Sequence, residues 1–305
     1  MKRISVIIPT FDRGNIFDEC IQSVLESISP LDEIIVVNDS KKQALQLKLE
    51  DKRIQVFDNP KSGVASARNM GASHAQGEFL LFIDDDMIIN SHAIESCYQL
   101  ILENPETAIN ADWVYIPEEL QKSESKPFRR YLERIEFTSL KGWCTDLQWV
   151  TNGTVQAKGI TSQFLLIQRS IFGKINGYNE AFHFAGFEDY DLGKRLEKTG
   201  LTFLINTQCL IYHNEKDRME IIPFLERKKR GAFTRKEAVM MGYSELKIPY
   251  SKIQWFYYSI LSSLSPMIVS VVKRIPNRKS WDRLYTHLMN RLTGIYIFDG
   301  YNGKR

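Results

Sequence analysis

Asp84-Asp85-Asp86 places three carboxylates on consecutive residues. Adjacent acids repel one another at neutral pH, so a site that keeps them needs a counter-charge, most simply a hard divalent cation held by oxygen ligands. The same run would also serve as a solvated acidic turn that caps the next helix. A second group, Glu188-Asp189-Tyr190-Asp191, stands just before Leu192 and Leu196. Acids at a helix start act either as general bases or only as caps. His213 closes a short apolar run and reads as a metal ligand or as a structural imidazole. Arg68 is alone as a cation among the small residues of 62–71. Its guanidinium suits bidentate binding of phosphate or carboxylate, and a plain surface arginine is the other reading.

These residues need elements to position them. Phe79-Leu80-Leu81-Phe82-Ile83 has no helical gap and predicts a strand buried on both faces that ends at the acids. Ligands of open α/β sheets collect at such carboxyl ends. Ile4-Ser5-Val6-Ile7-Ile8 predicts a first strand stopped by Pro9, and Ile16, Phe17, Cys20, Ile21, Val24, Leu25 and Ile28 recur at helical spacing up to Pro30. Glu33 to Val37 predicts a second strand ending in Asn38-Asp39-Ser40, and Arg53 to Phe57 another. The alternation is that of a mostly parallel α/β sheet flanked by helices.

Small residues over 59–71 suit a helix packed close to a sheet or a ligand, and Ile94, Cys97, Tyr98, Ile101 and Leu102 mark a further amphipathic helix. Residues 105–160 are weakly periodic, with a charged patch from Lys122 to Arg134 and with Trp143 and Trp149. Such a segment reads as a binding loop or lid, its rings open to stacking on a sugar face or to core packing. Phe203-Leu204-Ile205 and Leu210-Ile211-Tyr212-His213 read as two short strands.

A chain of 305 residues that is 43% hydrophobic and 25% charged can bury a sizeable core as one α/β domain with an extension or as two domains. Its net charge of +3 argues against a general nucleic-acid binder. Residues 1–213 hold 22 Lys and Arg against 29 Asp and Glu, whereas 214–305 hold 18 against 8. Cys20, Cys97, Cys144 and Cys209 suggest neither a zinc knuckle nor a disulfide framework. Met1-Lys2-Arg3 mimics the start of a signal peptide, but the apolar run that follows stops at Ile8, so a cytoplasmic location is expected.

Ile253 to Val272 is free of charge and flanked by Lys252, Lys273 and Arg274. Its length of about 20 residues matches one bilayer crossing. Gln254, five serines and Pro266 dilute it, and Trp255 to Tyr258 cluster like an interfacial anchor. A pair of helices over 250–291 is therefore expected, packed on the main domain or lying on a membrane surface, where the basic tail favours anionic lipid.

Several stretches together resemble the family 2 glycosyltransferases. They are Ser5 to Arg13, Ile34 to Ser40, Ala67-Arg68-Asn69-Met70-Gly71, Phe82 to Asp86, Gly177-Tyr178-Asn179-Glu180 and Glu188 to Leu192, in the family's order across residues 4 to about 213. The resemblance implies the nucleotide-sugar-binding GT-A fold over 1–215, with a donor half to about 90, an acceptor half beyond it, and a helical basic extension over 216–305. It implies that Pro9, Thr10, Asp12 and Asp39 hold the nucleoside and that Arg68 lies near the nucleotide. Asp85 would face the ribose, Asp84 would support, and Asp86 with His213 would bind Mn²⁺ or Mg²⁺. Asp189 would be the catalytic base, with Gly186, Glu188 and Asp191 lining the substrate.

The implied function is inverting transfer from a nucleotide-sugar, a UDP-sugar first, to a hydroxyl of a glycan or lipid-linked glycan at the inner face of the cell membrane. Displacement at an anomeric carbon needs charge neutralised on the leaving diphosphate and a proton taken from the acceptor. Two departures from the family's pattern stand out: Asn38 precedes Asp39 where a second acid is common, and Met87 follows the acidic triplet. The alternatives are a sugar-1-phosphate nucleotidyltransferase, for which the first turn lacks a glycine run, and an inactive relative serving as a carbohydrate-binding or scaffold subunit.

Overall fold

A computed structural model describes residues 3–42, 45–121, 126–144, 146–182 and 184–303. Met1 and Lys2 of the basic start, and residues 122–125 of the charged patch, lie outside the described residues. In chain order the elements are β1 (Ile4–Thr10), α1 (Asn15–Ser27), β2 (Glu33–Asn38), β3 (Ile54–Asp58), α2 (Val64–His74), β4 (Phe79–Ile83), β5 (Met87–Ile88) and α3 (Ala93–Glu103). They continue with β6 (Thr107–Tyr115), α4 (Pro117–Gln121), α5 (Pro127–Arg134), α6 (Leu140–Trp143), β7 (Thr154–Ala157), β8 (Phe164–Gln168), α7 (Arg169–Lys174), α8 (Glu188–Glu197) and β9 (Thr202–His213). Three longer helices follow: α9 (Ile221–Met240), α10 (Lys252–Arg274) and α11 (Asp282–Tyr301).

The chain divides into two compact units. The first comprises Met1–Ile116, Ser139–Phe184 and Glu188–Asn214, and the second Pro117–Thr138, Ala185–Phe187 and Glu215–Arg305.

The first unit is built on one sheet in the order β3-β2-β1-β4-β8-β6-β9-β5, with β7 also paired to β9. β3, β2, β1 and β4 run parallel, as does β6 beside β9, while β8, β7 and β5 pair antiparallel. The sheet is thus mixed, and its wholly parallel half carries the strands that read as unbroken apolar runs. One face buries Ile7, Ile35, Val37, Leu80, Phe82, Leu165 and Ile167 under Ala65 and Ala67 of α2 and Leu192 and Leu196 of α8. Alternation across the pleat sends Ile4, Val6, Ile8, Ile34, Val36 and Leu81, equally buried, to the other face. The small residues of α2 serve the sheet: a Cβ on Gly71 would sit 2.4 Å from Ile7 Cγ2.

Two expectations change. The weakly periodic stretch after 105 holds β6, an interior strand, which lacks an apolar signature because Asn110 is buried within it. Its amide donates to the carbonyls of Thr161 and Phe164, at 2.6 and 2.5 Å. The two short strands after 202 are one strand, β9, whose pairing with β6 jumps from Asn206 to Leu210 between Ala111 and Asp112. The bulge hid the continuity, since it breaks the period of two.

In the second unit α5 brings Phe128 and Tyr131 against Phe224 of α9, and Tyr131 also meets Tyr285 of α11. Arg130 grips Asp282 with both arms, at 2.9 and 2.7 Å, and Arg134 Nη2 adds a contact at 3.4 Å. Hydrogen bonding from Arg130 holds the Asp282 carboxyl below its usual pKa range. A depressed pKa stabilises the fold above the unfolded value of about 4 and stops doing so as pH falls through the folded one. Asp282→Asn is expected to cost about 1–3 kcal/mol at pH 7, between the exposed-pair and buried-pair ranges. Urea unfolding should show that difference shrinking below about pH 4, and a variant as stable as the parent at pH 7 would deny the clamp.

Candidate active site

β4 delivers the triplet. The strand is fully buried to Ile83, and the chain then turns, with Met87 N bonding Asp84 O at 3.2 Å, before β5 pairs Met87 with His213. That register sets Asp86 beside the end of β9, where Asn214 N donates to Asp86 O at 2.7 Å. His213 Nε2 lies 3.3 Å from Asp86 Oδ1, and both residues are buried. Trp113 and Tyr115 stand edge-on to the imidazole, at 5.1 and 5.4 Å between centroids.

The triplet carries counter-charges of its own. Arg13, almost fully buried, donates Nε to Asp85 Oδ1 at 3.1 Å and Nη2 to Asp86 Oδ2. Thr10 Oγ1 donates to Asp85 Oδ2 at 2.8 Å. Burial, then repulsion from Asp86, nevertheless pushes the Asp85 carboxyl up to about 6. Arg68 is 2% exposed, so its reading as a plain surface arginine falls. It donates to Asp84 Oδ1 at 2.8 Å and to Glu188 Oε1 at 3.0 Å, and stands 3.8 Å from Asp189 Oδ1. One guanidinium therefore ties the end of β4 to the start of α8.

Asp189 is half-buried, with 23% of its side chain exposed. Both of its oxygens are held by Ser162, through the backbone N at 3.0 Å and through the hydroxyl. Burial raises its pKa, Arg68 and Ser162 pull it back, and Asp84 adds a smaller upward push. An oriented, partly exposed carboxylate of raised basicity can accept a proton from a hydroxyl.

The remaining expected residues divide. Asp39 accepts from Gly63 N at 3.2 and 3.1 Å and from Asn59 at 2.6 Å, and its own N bonds Thr10 O at 2.9 Å, which joins the turns after β1 and β2. Pro9 lies in β1, and Asp12 takes φ +52° with Lys42 Nζ 3.5 Å from its Oδ2. Glu188 is 2% exposed and serves Arg68. Asp191, buried, binds Arg195 Nε at 2.8 Å, and Arg195 donates to the carbonyls of Ile175 and Gly177. Both acids brace the structure through these ion pairs. Gly186 counts with the second unit, where a Cβ would meet Thr234 Oγ1 at 2.4 Å.

Trp143 packs edge-on against Trp113, with centroids 5.0 Å apart. Sequence reasoning missed Arg13 and Ser162. Arg13 could have been found as the one cation in the turn facing the triplet, whereas Ser162 carries no local signal.

A divalent cation fits this donor set. Oδ1 of Asp86 and Nε2 of His213 keep 3.3 Å, close to the separation of about 3 Å between adjacent ligands bound at about 2.1 Å to one octahedral ion. Glu215 follows two residues along the backbone, where the chain enters the second unit.

The family model for glycosyl transferase family 2 matches residues 5–155. The chain belongs to the family 2 glycosyltransferases. A second model, the N-terminal domain of galactosyltransferase, matches residues 152–218 and so takes in Asp189 and His213. Among curated relatives of this family 2 chain, glycosyltransferase GlyG of Streptococcus pneumoniae is 34% identical over 33% of this chain and 35% of its own length. The GalNAc(5)-diNAcBac-PP-undecaprenol beta-1,3-glucosyltransferase of Campylobacter jejuni is 35% identical over 32% of this chain and 34% of its own length. The chain thus spans about a third of the length of these relatives. The structure of GalNAc-T7 with UDP, GalNAc and Mn²⁺ superposes with TM-score 0.54 at 14% identity, covering 95% of this chain and 55% of that one. The fold is accordingly the GT-A type, with a helical C-terminal part.

Proposed function

We propose that this chain is an inverting, metal-dependent hexosyltransferase moving a sugar from a UDP-sugar to a hydroxyl of a glycan or lipid-linked glycan. The observation that carries this reading is the Arg68 bridge, which brings Asp189 and the acidic triplet into one site although they lie far apart in sequence. Single displacement at an anomeric carbon needs those two functions and no enzyme nucleophile.

Thr10, Asp12 and Asp39 border the turns where the nucleoside would lie, and Asp85, held by Thr10 and Arg13, would face the ribose. Asp86 and His213 would hold the cation, which supplies charge neutralisation on the leaving diphosphate when bound. Imidazole with carboxylates favours Mn²⁺ over Mg²⁺, which prefers oxygen throughout. Ser162 orients Asp189, whose side chain is partly exposed, to take the acceptor proton. Collapse of the anomeric bond then follows from attack on the face opposite the departing UDP. The fold neighbour's complex with UDP motivates UDP as the first donor to test, and the Campylobacter relative's lipid-linked acceptor motivates the acceptor class.

The test is thermal unfolding with UDP. The midpoint should rise with UDP and Mn²⁺ together and far less with either alone, because what binds only the folded state stabilises it, by about 2.7 kcal/mol at a hundred times Kd. Asp86→Ala should abolish the Mn²⁺-dependent part. Equal shifts with and without the metal would remove the metal-bridged reading.

A further inference from the structure

The second unit presents an apolar face that the transfer reading does not use. Ile253, Phe256, Ile260, Leu264, Met267 and Val271 follow one another along α10 at intervals of three and four, so they form a single stripe. All six are exposed, Ile253 to 82%, Phe256 to 65% and Met267 to 60%. Trp255 and Tyr257 flank the stripe at one end, and Trp281 stands exposed just beyond the other. The opposite side of α10 is occupied. Tyr258 stacks on Phe298 of α11 at 5.4 Å, Ser262 donates to Asp299 at 2.8 Å, and Val269 and Val272 are buried. Both sides of this helix are therefore apolar, and only one is covered.

The helix is long and apolar enough to cross a membrane by length and composition. Its inner side is nevertheless bonded to α11, which carries Asp282, Arg283, Arg291 and Asp299, and drawing that pair into hydrocarbon would bury those charges at several kcal/mol each. Only the outer stripe can meet lipid, with α10 parallel to the surface. The surrounding charge selects the occupant. Between Glu245 and Asp282 there is no acidic residue, while Lys247, Lys252, Lys273, Arg274, Arg278 and Lys279 are all exposed. A second copy seated on the stripe would bring a second all-cationic rim against the first, which is repulsive. An anionic bilayer surface complements that rim, and the tryptophans and tyrosines suit the headgroup region.

We infer that α10 is an in-plane anchor that docks the stripe from Ile253 to Val271 into the surface of a bilayer containing anionic phospholipid. The inference rests on the second unit alone and is independent of the transfer reading.

Vesicle co-sedimentation of the full chain tests it, comparing phosphatidylcholine vesicles with vesicles that also contain phosphatidylglycerol. The protein should partition preferentially to the anionic vesicles, and added salt should weaken the preference. Neutralising Lys273 or Arg274 with alanine should each lower partitioning about fivefold. The double variant Phe256→Glu with Met267→Glu should lower it by about tenfold or more, since two large side chains lose their burial. These side chains are exposed, so circular dichroism and the melting midpoint should stay unchanged. Absence of binding to either vesicle would overturn the inference, and equal binding to both would overturn its electrostatic part. A dimer seen by light scattering and broken by Phe256→Glu would assign the face to a second copy instead.

Discussion

Asp189→Asn is expected to slow sugar transfer by roughly 10²- to 10⁴-fold, equivalent to about 3–5.5 kcal/mol of barrier, while UDP binding in the presence of Mn²⁺ stays nearly intact. The amide keeps the shape, its oxygen can accept the Ser162 backbone N–H and its NH2 can donate to the Ser162 hydroxyl, so orientation survives and basicity does not. The parent should also lose rate as pH falls through the Asp189 pKa, because the base works only ionised. Burial raises that pKa, so this limb should lie above the range of an ordinary aspartate and should vanish in the variant. A variant that transfers at near the parental rate would place the base elsewhere. Neither neighbour could substitute without rearrangement, since Glu188 is committed to Arg68 and Asp191 to Arg195. Loss of nucleotide binding in Asp189→Asn would instead make it a donor-site acid.

Arg68→Met is expected to destabilise the protein by about 3–5 kcal/mol, the cost of leaving buried charge uncompensated. Out of a total stability of about 5–15 kcal/mol, that is enough to threaten folding. The guanidinium answers Asp84, Glu188 and Asp189 together, and Glu188 is itself almost fully buried. Carboxylates around it hold its pKa well above the ordinary arginine value despite burial. The double variant Arg68→Met with Glu188→Gln should recover part of the loss, because the second change removes one of the stranded charges. Denaturant unfolding of the two variants reads the coupling. An Arg68→Met protein of parental stability but weakened UDP binding would return Arg68 to the nucleotide contact that family resemblance implies.

The chain's own residues determined the parallel half of the sheet. β1, β2 and β4 are buried on both faces, so each must be a contiguous apolar run, and each ends in residues whose chemistry is visible: Pro9-Thr10, Asn38-Asp39 and the triplet. Small residues announced α2, and the acids before Leu192 announced the start of α8. These are local signals, written within a few residues of the feature they mark.

What the tertiary structure alone decided are the pairings between distant segments. Only the strand order puts Met87 opposite His213 and so sets Asp86 beside an imidazole. Only the packing of α2 against the sheet turns Arg68 inward to bind acids on both sides, and only the loop before β8 supplies Ser162 to Asp189. The same holds for the acids of α8. Glu188, Asp189 and Asp191 are equivalent as letters, yet the turn of α8 hides the first and third in ion pairs and leaves the second partly open. β6 stayed illegible because a buried asparagine satisfied by two carbonyls looks, in sequence, like a solvated loop. The physical reason is common to all of these: a carboxylate's role is set by which charges and donors reach it, and those arrive from elements whose separation in the chain carries no information about their separation in space.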